Sequence, residues 1–244
     1  MRTIKLTIAY DGTNYRGWQL QENGNTIQEE IEKALFKVFK KRSRVNGASR
    51  TDSGVHAEAQ AAHFRFSSAI PSGNVAAALN SVLPEDIAVI KAEEVPDGFN
   101  SRFDARLKKY RYQILNSRTR DPFLERYSWR VPYNLNPSLM RKEALVLKGR
   151  HDFRSFQAKD KRERSSVRTI KNIVIKKTGL YLTINIEGDG FLYNMVRNIA
   201  GTLVDIGRGY LPPGSMRKIL DSRDRRKAGP TAPAKGLFLV GVEY

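Results

Sequence analysis

An arginine and an aspartate two residues apart, Arg50 and Asp52, sit in the stretch "NGASRTDSGVHAEAQ" of residues 46–60. Small and polar residues crowd around them: Asn46, Gly47, Ser49, Ser53 and Gly54. Two readings of these residue types stand side by side. Asp and Ser favour Asx and hydroxyl-capped turns, and Gly supplies positive φ, so the stretch can be an ordinary turn. It can equally present a carboxylate on a tight loop beside a guanidinium. The positive charge then keeps the acid ionised at neutral pH, and an ionised carboxylate serves as nucleophile or base. Residue chemistry alone leaves both open.

The elements around this loop are legible from periodicity. Ile4, Leu6, Ile8 and Tyr10 alternate with polar residues and predict a strand over 3–10. Thr26 and Glu29 form a capping box ahead of a helix with Ile27, Ile31, Ala34, Leu35 and Val38 on one face. After the loop, "QAAHFRF" reads as a strand with Phe64 and Phe66 on one side, "NVAAALNSVL" as a short helix stopped near Pro84, and "DIAVIKAEEV" as a strand. Further on, "RFDARLKKYRYQILN" carries Tyr110, Tyr112 and Ile114 on one strand face. Asn136 is an N-cap with Pro137 in the first turn of a helix. "TIKNIVIKK" and "LYLTINIEG" form a hairpin around Thr178-Gly179. "FLYNMVRNIAGTLVDIG" is a helix with Leu192, Met195, Ile199, Leu203 and Ile206 as its core stripe, and "GLFLVGVEY" closes as a strand. The expected class is α/β (α+β): two similar halves, 1–105 and 106–244, with a largely antiparallel mixed sheet flanked by helices.

Composition narrows the chemistry. None of the 244 residues is a cysteine, which excludes disulfides, thiolate zinc sites and cysteine nucleophiles. The formal charge of +18, from 43 Lys+Arg against 25 Asp+Glu, points to a polyanionic partner, nucleic acid above all. The start, "MRTIKLTIAYDG", has no apolar signal-peptide region, and no run approaches the roughly 20 apolar residues of a membrane span. A cytoplasmic protein with no membrane partner is expected. The cations cluster: Lys37, Lys40, Lys41, Arg42 and Arg44; Arg102, Arg106, Lys108, Lys109 and Arg111; Lys159–Arg168; and "SRDRRK" at 222–227. Together they suggest a phosphate-contacting surface. Within the second cluster, "YRY" is either a stacking platform for RNA bases or half of a core. The three histidines, His56, His63 and His151, lie far apart. His63 on a strand and His151 at a helix end read as structural.

"GASRTDSGVHA" resembles the signature loop of the TruA family of tRNA pseudouridine synthases. The likeness continues in order through "YDGTNYRGWQLQ" (10–21), "RFDARLKKYRY" (102–112), "GRHDFRSF" (149–156), "FLYNMVRNIAG" (191–201) and "PTAPAKGLFL" (230–239). Ser49 and Ser53 stand where many relatives carry Gly and Ala; both are small. The resemblance implies the pseudouridine synthase fold with a central basic cleft. It implies conversion of uridine to pseudouridine at positions 38, 39 and 40 of the tRNA anticodon stem-loop, without a cofactor, by a homodimer. Asp52 would be the catalytic carboxylate, attacking either the sugar or the uracil. Tyr110 would stack on the target base, Arg197 pair with the aspartate, and Arg50 hold the stem-loop with its base extruded. An arginine on an otherwise apolar helix face needs a buried partner, which agrees with the role implied for Arg197. By charge alone, Lys37, Lys40, Lys41, Arg42 and Arg44, with Lys161, Arg162 and Arg164, are candidates for tRNA backbone contacts. A non-catalytic RNA-binding module of the same fold is expected to have lost the aspartate or the tyrosine; both are present here.

Overall fold

The structure, a computed structural model, describes residues 1–22, 24–67, 70–159 and 165–244. The candidate RNA contacts Lys161, Arg162 and Arg164 lie outside the described residues. Two compact units emerge, Met1–Arg106 with Phe238–Tyr244, and Leu107–Leu237.

The first unit runs β1 (Arg2–Tyr10), α1 (Ile27–Phe39), β2 (Asn46–Gly47), β3 (His56–Phe66), α2 (Ser72–Asn80) and β4 (Ile87–Val95). β1 is antiparallel to both β3 and β4. Its register places Ile4 opposite Phe64 and Leu6 opposite Ala62, so the alternation in β1 delivers its apolar residues to one buried face. α1 starts where the Thr26 hydroxyl oxygen accepts the Glu29 N–H at 3.3 Å. It ends at Lys40, left-handed at φ 55°, whose N–H donates to the Phe36 carbonyl. A cation there also suits the negative end of the helix dipole. α2 starts at Ser72, two residues before the expected position, and stops at Asn80, well short of Pro84. The stop has a cause in Asn80 itself. Its side-chain amide donates to the Val89 carbonyl at 2.9 Å and accepts the Val89 N–H at 2.7 Å, tying the helix end to β4.

The second unit runs β5 (Leu107–Leu115), β6 (Trp129–Arg130), α3 (Pro137–Leu145), β7 (Gly149–Asp152), β8 (Val167–Thr178), β9 (Tyr181–Gly188), α4 (Met195–Gly207) and α5 (Ser215–Ser222). β5, β9, β8 and β7 are neighbours in that order, all antiparallel. The β8–β9 hairpin turns on Gly179-Leu180, one residue later than expected, with Gly179 at φ 57°. His151 lies on β7 rather than at a helix end. α4 begins at Met195 rather than Phe191, because Asn194 is left-handed at φ 59° and breaks the helical path. In α3 the Asn136 side chain accepts the Leu139 N–H at 3.0 Å with Pro137 following. Asn136→Ala is expected to cost about 1 kcal/mol, read as a lower melting temperature with unchanged far-UV dichroism; a melting temperature equal to wild type would remove the cap from the account.

The last strand, β10 (Leu237–Glu243), returns to the first unit. It lies parallel to β3, Phe238 opposite His56 and Leu239 opposite Ala57. Each unit is thus a mixed assembly of helices and largely antiparallel strands, an α/β (α+β) architecture.

Candidate active site

The loop between β2 and β3 is a turn, and Asp52 sits on it. Val55 N–H donates to the Asp52 carbonyl at 3.1 Å, and Gly54 takes φ 75°, a conformation that favours glycine. The turn and carboxylate readings therefore describe one object. Asp52 is half-buried and Arg50 exposed.

Residues 10–18 hold this turn, chiefly through backbone groups. Trp18 N–H donates to the Thr51 carbonyl at 3.1 Å. The Tyr15 carbonyl accepts both Gly54 N–H at 3.3 Å and the Ser53 hydroxyl at 3.2 Å. The Tyr10 hydroxyl meets the Thr51 hydroxyl at 2.7 Å in a buried contact. Tyr15 is itself fixed: its hydroxyl donates to Asp86 at 2.5 Å. Burial, then that bond and the Asp86 charge, push its pKa far up. Two glycines permit the close approach. A Cβ at Gly12 would lie 2.0 Å from the Val55 carbonyl oxygen, and one at Gly17 2.6 Å from that of Thr51. These clamp residues fall within the motif of residues 10–21, where residue types alone assign them no role. The spacing of Gly12 and Gly17 was the available signal.

On the other side of the turn, Gln60 straps Ser49, accepting its N–H at 3.2 Å and donating to its carbonyl at 2.7 Å. His56 bolts the 11–12 turn. Its buried Nδ1 lies 3.1 Å from the Gly12 N–H and 3.1 Å from an Asp11 carboxylate oxygen. It can serve one at a time, accepting from Gly12 when bare and donating to Asp11 when protonated. The ring stacks on Phe238 at 4.7 Å. At Gly47 a Cβ would meet the Trp18 ring at 2.5 Å. Its missing side chain makes room for the indole.

His63 connects the neighbouring loops. Its Nδ1 accepts the Ser101 N–H at 3.1 Å, and the Ser101 hydroxyl donates to the Asn46 carbonyl at 2.6 Å. Burial, aided by the Arg65 charge and opposed by Asp104, holds the His63 pKa below its ordinary value. The unfolded chain therefore takes up a proton near pH 6.5 that the folded chain resists. The contribution is full above that pH and is lost as pH falls below it. His63→Gln is expected to flatten the fall in melting temperature between about pH 7 and 5.5; parallel curves for variant and wild type would exclude His63 as its origin.

The remaining candidate residues, Tyr110 and Arg197, belong to the second unit. Tyr110 is buried on β5, its ring edge-on to Phe191 at 5.1 Å. Tyr112 is fully buried, edge-on to Trp129, its hydroxyl donating to the Pro233 carbonyl at 2.8 Å; it is core. Arg197 is the one residue of α4 that is not buried. Its Nε donates to the Ala232 carbonyl at 2.8 Å and a terminal nitrogen to the Asn194 side chain at 2.9 Å. Ala232 N–H returns a bond to the Arg197 carbonyl at 3.2 Å. The turn residues Phe191 and Asn194 thus serve Tyr110 and Arg197 respectively.

The basic clusters divide. Lys37, Lys40, Lys41, Arg42 and Arg44 are all exposed at the end of α1. Arg225, in "SRDRRK", is instead an internal staple, donating to the Gly229 carbonyl at 3.0 Å and to the Asn198 side chain at 2.9 Å.

A model of the tRNA pseudouridine synthase family matches residues 6–104 and 144–244. The chain belongs to that family. It is 45% identical over 244 residues to tRNA pseudouridine synthase A of Thermoanaerobacter sp. (strain X514), covering 100% of both chains. It is 48% identical over 245 residues to the protein of that name from Ruminiclostridium cellulolyticum, again over 100% of both. Among solved structures, a Cbf5-Nop10-Gar1 complex aligns with 82% of this chain and 54% of its own at 11% identity and a TM-score of 0.33; so distant a likeness carries no argument. Family membership makes the chain an isomerase of the pseudouridine-forming class. Among the described residues, no helix is long and apolar enough to cross a membrane.

Proposed function

We propose that this pseudouridine synthase isomerises uridines 38, 39 and 40 in the anticodon stem-loop of tRNA, with Asp52 as the catalytic carboxylate. The observation that carries the reading is the Asp52 turn, pinned through Thr51, Ser53 and Gly54 by residues 10–18. Preorganisation of this kind is what a reacting group needs, since small misplacements cost large factors in rate. The reaction breaks the glycosidic C–N bond and forms a C–C bond between the same sugar and uracil. No atom enters or leaves, so the chemistry calls for a nucleophile and proton transfers but no cofactor. Asp52 attacks the sugar or the uracil ring.

The target base must first leave its stack, at a cost of a few kcal/mol. Arg50, exposed two residues before Asp52, suits holding the RNA in that state. Tyr110 is assigned to stack on the target base. Arg197, its guanidinium oriented by Ala232 and Asn194, is assigned to pair with the catalytic carboxylate. The exposed Lys37, Lys40, Lys41, Arg42 and Arg44 suit backbone phosphates. Lys161, Arg162 and Arg164 join them on charge alone. The working form is a cytoplasmic homodimer.

The test is pseudouridine mapping by carbodiimide and primer extension on an unmodified tRNA transcript with uridines at all three positions, in buffer alone. Stops at 38, 39 and 40 are expected. Stops elsewhere would move the substrate while keeping the chemistry, and no stops despite tight tRNA binding would overturn the reading.

A further inference from the structure

The loops flanking Arg50 enclose a polar pocket of about 140 Å³ in the first unit. Three arginines line it, Arg44, Arg50 and Arg102, with Asn100 and Phe103, and no carboxylate is among the lining residues. Three arginines lining one small pocket favour an anion there.

The pocket is built from fastened parts. Gln28, 2% exposed, forms part of the lining. It donates to the Val45 carbonyl at 3.1 Å and accepts the Leu20 N–H at 3.0 Å. Val45 N–H donates to Glu32 at 2.9 Å. Opposite, the Asn100 side chain accepts the N–H groups of Arg102 and Phe103 at 3.0 and 3.2 Å, and Ser101 is bonded to His63 and to the Asn46 carbonyl. The arginine-bearing loops are therefore tied to each other and to α1.

Size and chemistry choose the occupant. Pockets that hold a whole drug-sized ligand measure roughly 300–1,000 Å³, so this one is too small for a nucleotide and suits a single phosphate. Arginine is the residue matched to phosphate oxygens, because its planar fork bonds them in pairs. Phe103 adds a second signal. It is 78% exposed, with the Arg102 guanidinium carbon 5.5 Å from its ring centroid. An exposed ring beside cations is the usual platform on which single-stranded bases stack.

We propose that this pocket binds one phosphate of the substrate RNA, with an adjoining base stacked on Phe103. The Cα atoms of Arg50 and Asp52 are at most about 7 Å apart, so the phosphate is one that flanks the target nucleotide. The proposal rests on Asp52 marking the target site.

The test uses anticodon stem-loop RNAs, each carrying one neutral methylphosphonate linkage, with wild type and R44Q/R102Q. In wild type, one linkage beside the modified uridine is expected to weaken binding about tenfold. The double variant should lose a similar factor with unmodified RNA and lose nothing more at that linkage. Its log Kd against log salt should flatten by about 0.7. Arg102→Lys should keep the wild-type salt slope, since it keeps the charge. Phe103→Ala should weaken binding about fivefold or more with the slope unchanged. Losses that add at every linkage, an unchanged slope, or no RNA binding by wild type would each overturn the proposal. Thermal melting checks the fold, and Arg44→Gln alone, at an exposed position, repeats the test if the double variant melts early. Pseudouridine formation by wild type is read on the unmodified RNA in parallel. If it fails while one linkage stays coupled to the arginines, the catalytic reading falls and the pocket stands; the converse removes only the pocket.

Discussion

Asp52→Asn is expected to slow single-turnover pseudouridine formation by roughly 10⁴-fold or more, in the manner of other nucleophile deletions. That corresponds to about 5 kcal/mol of transition-state stabilisation. Affinity for tRNA should change by less than about threefold, because phosphate contacts supply most of it and Asp52 brings no positive charge. The substitution is almost isosteric. The bond that closes the turn uses the Asp52 carbonyl, which the substitution keeps. Rapid-quench assays with enzyme in excess, beside filter-binding titrations, separate the two effects. A variant that retained a tenth of the wild-type rate would end the assignment of Asp52 as the reacting group.

Gly201→Ala should be the most damaging single methyl group in the second unit. Its Cβ would lie 1.8 Å from the Pro230 carbonyl oxygen and 2.9 Å from the Pro230 carbonyl carbon. Gly229 faces back across the same seam, where a Cβ would be 2.8 Å from the Thr202 Cα. Both obstacles are backbone, so no side chain can swing aside. Alanine gains about 1 kcal/mol of helix propensity over glycine, but overpacking costs typically 1–3 kcal/mol and more where the backbone is rigid. The clash wins, with a net loss of about 2–4 kcal/mol. For a chain of this size that lowers the melting temperature by about 5–15 °C. The same shift would move Ala232, which orients Arg197, so activity should fall even below the melting temperature. Melting within two degrees of wild type, with full activity, would contradict this account.

Features announced by periodicity or capping were legible in the sequence. α1 begins at its Thr26 cap, α3 at Asn136, and β5 buries Tyr110, Tyr112 and Ile114 on one face. Features decided by a single backbone angle were not. The apolar pattern of α4 runs back to Leu192, and only the positive φ of Asn194 ends the helix sooner. α5 has eight residues and a Gly214 cap with no side chain to offer, so no start signal exists; β6 has two residues and no period at all. At the candidate site the pattern repeats. Asp52 and Arg50 are visible as types in a motif. The clamp shows only in the spacing of Gly12 and Gly17, because its acceptors include the carbonyls of Tyr15 and Thr51, a group that every residue possesses. Arg225 shows the opposite error: within a charged run it looks like a solvated cation, and only tertiary contacts reveal it as a staple.

The placement of β10 fixes an order of events. The first unit closes its sheet with the last strand of the chain, and Phe238 on that strand is what His56 stacks upon. A nascent polypeptide that has emerged only through residue 236 can pair β1 with β3 and β4 but lacks β10 beside β3. The bolt at Gly12, one turn from Asp52, then has an unsupported ring behind it. The aspartate loop thus leans on a strand far away in sequence, and a chain that ends before residue 237 carries the motif without its full scaffold.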